Sequence, residues 1–291
     1  MTSEKIAILV DSGCDVPETI AQAENLYVIP LKIIYKDAEY TDKLDITAEE
    51  IYDRLPIEIP KTSLPEGAYI QKIFEQIVAD GYEKVLAITI SSGLSGTFNS
   101  VRLVAQDFPM LETFMFDTKN IGIGAGVHAI RAAELIASGS SFDAITKVLA
   151  SEVKNSKIFF SVATLEYLKK GGRIGLVSSI VGNMLNLNPI ISCNDDGIYY
   201  TVAKSRGRKK SLEKAVKLVK AYVGNHQKVR LFVAHGNAAK EALILVDALK
   251  AAIPQAIEVL YGQISPALVV HTGPGLIGIG AQIWLYNFCS G

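Results

Sequence analysis

Net charge is nearly absent from this sequence: 29 lysines and arginines face 30 aspartates and glutamates, a formal balance of −1. Such a balance leaves no general electrostatic footprint for nucleic acid. Cysteine is scarce too. Cys14, Cys193 and Cys289 form no C-x-x-C pair and no metal-ligand spacing, which excludes a disulfide framework and points to a reducing compartment. Long unbroken apolar runs are also missing. The run before Asp11 is too short for a signal-peptide core. The 33 residues from Val259 to Gly291 contain no Asp, Glu, Lys or Arg. Pro266, Gly273, Pro274, Gly275, Gly278 and Gly280 nevertheless cut them into pieces shorter than the roughly 20 residues of a spanning helix. A cytoplasmic protein is expected, without repeats, low-complexity tracts or long linkers.

What is present is core material. Apolar residues make up 49% of the chain and charged ones 20%, and the mean hydropathy of +0.26 is high, as a ligand-lined interior would make it. The first half alternates strand and helix signals. Strands are expected at Lys5–Val10, Tyr27–Tyr35, Lys84–Ile90 and Thr113–Asp117. Helices are expected at 17–24, 48–55, 66–80, 97–106, 124–137 and 142–154. This alternation predicts an α/β fold with a Rossmann-like parallel sheet covered on both faces. The second half mixes strand 157–162, short helices at 165–170 and 177–185, and a hairpin over 188–203 turning at Asn194-Asp195-Asp196-Gly197. A lysine-rich helix (209–223), strand 229–234, helix 238–252 and strand 257–261 follow. The charge-free tail reads as strands, ALVV (267–270) and LIGIGAQIW (276–284). An α+β domain with a partly antiparallel sheet is expected, giving domains 1–155 and 156–291 with a ligand cleft between them.

Four segments carry chemistry. Ser91-Ser92-Gly93-Leu94-Ser95-Gly96-Thr97 follows a strand and opens a helix, so hydroxyls and free backbone N–H groups form an anion nest at the carboxyl end of a parallel strand. No lysine completes a Walker loop. Gly93-Leu94-Ser95 echoes a nucleophile elbow, so a serine hydrolase or transferase using Ser95 and His271 stays open, although no acid is placed to orient the histidine. In Thr62-Ser63-Leu64-Pro65-Glu66, Ser63 and Glu66 fit a capping box and leave Thr62 free for a ligand. His271-Thr272-Gly273 supplies a histidine among apolar walls, with a core histidine as the alternative. Asp15, before Pro17, suits a cap of the next helix. The run Lys204-Ser205-Arg206-Gly207-Arg208-Lys209-Lys210 is a solvated helix face or a docking patch.

Taken in order, DSGCD after the first strand, TSLPEG, SSGLSGTFNSV, LEYLKKGGRI, SRGRKK and HTGPGLIG resemble the DegV family of bacterial fatty-acid-binding proteins along essentially the whole chain. The resemblance implies a two-lobed DegV-like fold that buries one long-chain fatty acid, such as palmitate or oleate, without a further cofactor or metal. It implies a carrier rather than an enzyme, one that presents the carboxylate to a fatty acid kinase for acyl-phosphate formation in phospholipid synthesis. Transient contact with a membrane surface is compatible with that role. Carried onto this chain, carboxylate contacts fall on Thr62, Ser95, Gly96, Thr97, His271 and Thr272. Kinase docking falls on Arg173, Arg206 and Arg208.

Overall fold

The computed structural model of the chain describes residues 4–178 and 187–284. All but the start of the helix expected at 177–185 lies outside them.

Four strands form a parallel sheet: β1 (Ile6–Asp11), β2 (Leu26–Ile29), β6 (Lys84–Thr89) and β7 (Glu112–Asp117), in the order β2-β1-β6-β7. Successive side chains of a strand face opposite ways, and both faces here are covered. Ala7, Leu9, Val85 and Ala87 pack with α3 (Gly67–Ala79) and α4 (Thr97–Ala105). Ile8, Val10, Leu86 and Ile88 join α5 (Ile123–Ala137) and α6 (Phe142–Glu152). Short helices α1 (Glu18–Ala21) and α2 (Ala48–Arg54) complete this half.

The strand expected over Tyr27–Tyr35 is two strands. Pro30 has no N–H to continue a ladder, and the chain leaves β2 to form β3 (Lys32–Ile34) in another sheet. There β3 pairs antiparallel with β4 (Glu39–Thr41) and β5 (Lys61–Ser63). Helix α3 starts only at Gly67 with Glu66 as its N-cap, so the Ser63–Glu66 capping box does not form. Glu66 instead pairs with Lys32 at 3.0 Å.

The second half holds a six-stranded mixed sheet. Its strands are β8 (Ser156–Ser161), β9 (Leu187–Cys193), β10 (Tyr199–Arg206), β11 (Val229–Gly236), β12 (Glu258–Gln263) and β13 (Leu276–Ile283). The order is β10-β9-β8-β13-β11-β12, and only β11 and β12 run parallel. Phe159, Leu231, Val233, Ile277 and Ile279 face α8 (Arg208–Val223) and α9 (Ala239–Ala252). Ile158, Phe160, Phe232 and Ala234 face inward, in one apolar cluster with α5 and the parallel sheet. Helix α5 thus lies between the sheets.

Segment ALVV is not a strand. It lies in α10 (Pro266–Thr272), which packs against α2 and α7 (Glu166–Lys170). Pro266 suits a first helical turn, where its missing N–H is no loss. Asp15 Oδ1 accepts from Ser265 N at 3.0 Å and Asp42 Oδ1 from Ala267 N at 2.9 Å. These distant carboxylates satisfy a helix start, and Gly273 at φ 65° ends it. Asp15 therefore caps a helix 250 residues away rather than the one that follows it.

Candidate functional site

A cavity of about 270 Å³ lies between the two sheets, close to the lower end of ordinary ligand sites (roughly 300–1,000 Å³). Its walls are mostly aliphatic and aromatic, including Leu31, Ile90, Ile121, Ile123, Ile158, Phe160 and Tyr199. Polar groups gather from four places: Thr62 and Ser63 on β5, Ser95 before α4, Arg173 after α7, and His271 and Thr272 in the last turn of α10.

Thr62 and His271 meet directly. The Thr62 Oγ1 to His271 Nε2 distance is 2.7 Å. Burial, with Arg173 nearby adding to it, holds the imidazole down at about 3, so the ring is neutral at physiological pH. A neutral ring has a single N–H. His271 Nδ1 has no hydrogen-bond partner and faces Gly171, where a Cβ would come within 2.1 Å of it. The Gly171-Gly172 pair reads from sequence as a helix end only. The room it makes for an imidazole has no signature in the chain.

Ser95 stands one residue before the Gly96 N-cap of α4. Its hydroxyl lies 2.8 Å from Thr97 Oγ1 and accepts from Thr97 N at 3.3 Å. Thr97 is fully buried and Thr272 donates to the carbonyl of Leu268 at 2.9 Å. Neither Thr97 nor Gly96 lines the cavity, whereas Thr272 lines it with a hydroxyl already committed to its own helix. The serine–histidine pair of a hydrolase is not assembled: Nε2 is taken by Thr62, and no carboxylate orients Nδ1. Thr97 also stands where an elbow would need its second glycine.

The three arginines expected on a docking face have different fates. Arg173 lines the cavity, its Nε donating to the carbonyl of Leu94 at 3.2 Å and Nη1 to that of Gly171 at 2.8 Å. With Leu94 and Ser95 it also borders an adjoining polar depression of about 340 Å³, lined by Ser92, Gly93, Gly96 and Gly172. Arg208 is a structural ion pair. Its Nε and Nη2 grip Glu241 at 2.8 Å each, and Nη2 also donates to the carbonyl of Gly275 at 2.7 Å. That grip braces the loop after His271. Arg206 ends β10 with an exposed side chain.

Behind the cavity, sequence reasoning missed an acidic cluster. Asp11 accepts from Gly13 N at 2.9 Å and Ile90 N at 2.8 Å, tying the end of β1 to that of β6. Burial pushes its carboxyl up to about 7 and that of Asp42 up to about 6. Asp15 is raised as well, again by burial, while Lys43 at 3.2 Å opposes the shift. A carboxyl whose folded pKa exceeds its unfolded value stabilises the fold below the unfolded pKa, and that gain is lost as pH rises through the folded pKa. Lowering the pH from about 8 to about 5 is therefore expected to add a stabilising contribution from Asp11 and Asp42. In Asp11→Asn the same titration should be flatter, as read from thermal unfolding across that range. An identical slope in the variant refutes the assignment to Asp11.

Among the described residues, no cluster of three or more His, Cys, Asp or Glu could hold a metal ion. None of their helices is long and apolar enough to cross a membrane.

Residues 5–283 match the family model described as "Uncharacterised protein, DegV family". A DegV domain-containing protein of Clostridium acetobutylicum is 41% identical over 276 residues, covering 95% of this chain and 98% of its own. Among solved structures, a fatty-acid-binding DegV family protein of Thermus thermophilus superposes with a TM-score of 0.90 at 30% identity, over 96% of this chain and 99% of its own. A stearic-acid-binding protein of Eubacterium ventriosum matches with a TM-score of 0.85 at 27% identity, over 96% and 98%.

Proposed function

The chain belongs to the DegV family, and from that premise we propose that it is a cytoplasmic carrier that buries one long-chain fatty acid between residues 1–155 and 156–291. The observation that carries this reading is the cavity itself: one apolar chamber whose few polar groups converge at Thr62, Ser95, Arg173 and His271.

The physics fits an acyl chain with a charged head. Burying ~14 methylenes gains on the order of 11 kcal/mol at roughly 0.8 kcal/mol each, against an association cost of ~4–15 kcal/mol. A carboxylate taken out of water needs donors. Thr62 can donate only if His271 carries its proton on Nε2 and gives it to the threonine oxygen. An incoming carboxylate therefore selects that tautomer, and the imidazole passes its polarisation through the hydroxyl. The Ser95 hydroxyl and the Arg173 guanidinium complete the head site. The depression beyond Ser95 and Arg173 gives the head group a mouth, as presentation to a fatty acid kinase requires. In this reading exposed Arg206 contributes to the kinase contact, and membrane contact is transient.

Organic extraction of the purified protein followed by mass spectrometry tests the reading. About one fatty acid per chain is expected, and Arg206→Glu should leave that content unchanged while weakening kinase-dependent acyl-phosphate formation. Protein that yields no lipid and binds neither palmitate nor oleate is not a carrier.

A further inference from the structure

Two glycines on the inner face of β13 differ in the space beside them. Gly278 and Gly280 stand two apart on β13 and so face the same way. A Cβ at Gly280 would lie 2.1 Å from the carbonyl oxygen of Lys157 and 2.4 Å from the Phe232 ring; the space beside it is filled. A Cβ at Gly278 would meet nothing nearer than the Ile158 Cδ1 methyl at 3.3 Å and Phe160 Cβ at 3.6 Å, and Gly278 lines the cavity. Its register partner on β11 is Ala234, and its partner on β8 is Phe160. Across one row of the sheet, two nearly absent side chains thus stand beside a large one, and the missing volume belongs to the chamber.

Ala234 has a second neighbour. A cleft of about 750 Å³, bordered by Asp15, Lys43 and Gln263, shares just two lining residues with the cavity, Ile123 and Ala234. Both are buried, at 6% and 5% exposure, and each borders both spaces. None of the cavity's polar residues borders this cleft. The wall that the chamber shares with the cleft is therefore an apolar one, without a head-site residue.

We infer that Ile123, Ala234 and Gly278 form the stop of the acyl compartment and set the longest chain it accepts. This rests on the carrier reading above. Side chains added at Gly278 or Ala234 shorten the compartment. Removing the Ile123 side chain joins it to the cleft and lengthens it.

The experiment is competition of straight-chain acids of about 12 to 22 carbons against a fluorescent fatty acid. It uses wild type, Gly278→Ala, Gly278→Val, Ala234→Val and Ile123→Ala. Each methylene that no longer fits should lower affinity by roughly fourfold. The ratio of long-chain to short-chain affinity should fall about fourfold in Gly278→Ala and about tenfold or more in Ala234→Val and Gly278→Val. In Ile123→Ala that ratio should rise about tenfold. Extended backbone at Gly278 accepts a side chain, but if Gly278→Val fails to fold, Gly278→Ala and Ala234→Val decide the matter. Ratios that stay at the wild-type value, with all chain lengths shifting together in folded variants, overturn the assignment. Wild type that binds no acid of any length brings down the carrier reading instead.

Discussion

Lipid-stripped protein carrying both Thr62→Val and Ser95→Ala is expected to bind a long-chain fatty acid about a hundredfold to ten-thousandfold more weakly than wild type. Each hydroxyl gives the carboxylate a charge-assisted hydrogen bond worth roughly 1.5–3 kcal/mol, and each ~1.4 kcal/mol is a decade of affinity. The single variants should lose about tenfold to a hundredfold each. Their stabilities should differ. Thr62→Val keeps the side-chain shape but leaves His271 Nε2 without its 2.7 Å partner. Ser95→Ala removes an acceptor from Thr97 N in the first turn of α4, a loss of ~0.5–2 kcal/mol on the scale of helix caps. The methyl ester of the same acid separates head-group binding from general damage. It should bind wild type poorly and respond much less to either substitution. Denaturant titration of stripped protein and ligand competition read the two effects separately. Unchanged affinity for the free acid in the double variant removes these hydroxyls from the site.

Gly126→Ala should be among the most damaging single methyl additions in the molecule, although it lies outside the cavity wall. Gly126 is in the first turns of α5, where that helix crosses the loop after β1. An added Cβ would lie 2.3 Å from the carbonyl oxygen of Cys14 and 3.3 Å from Val16 N. Both contacts are backbone, so no rotamer change relieves them. The helix must rise off a loop whose neighbours Asp11 and Asp15 clamp Ile90 and Ser265. Overpacking usually costs ~1–3 kcal/mol, and a backbone overlap of this depth belongs at or above the top of that range. At about 2–4 °C per kcal/mol in a chain of this size class, the melting temperature should fall by roughly 6 °C or more. Calorimetry on stripped protein measures it. A variant that melts within a degree or two of wild type shows that α5 can move away from the loop without loss.

Much of the fold was legible because its signals are local. The apolar runs of β1 and β6, the hairpin turn at Asn194–Gly197 and the Ser/Gly loop opening α4 each depend on residues within one element's length. Thr62, Ser95 and His271 stand out locally as a hydroxyl beside a helix start, a hydroxyl in a Ser/Gly nest and a histidine in an uncharged tail, while their assignment to a carboxylate came from the family resemblance. Other features depend on groups far apart in sequence. The contact between Thr62 and His271 spans 209 residues. Segment ALVV is rich in β-branched valine, which favours a strand locally, yet it is helical, with Asp42 from the other half of the chain accepting from Ala267 N and Asp15 from Ser265 N just before it. Arg206 and Arg208 sit in one basic run, and only the position of Glu241 on α9 separates the exposed cation from the bound one. Propensity, periodicity and turn chemistry act over a few residues, so most of the elements and the kinds of groups at the site can be read along the chain. Tertiary structure alone decided which partners those groups meet and where the chamber ends, because hydrogen bonding and exclusion of volume act between whichever atoms packing brings together.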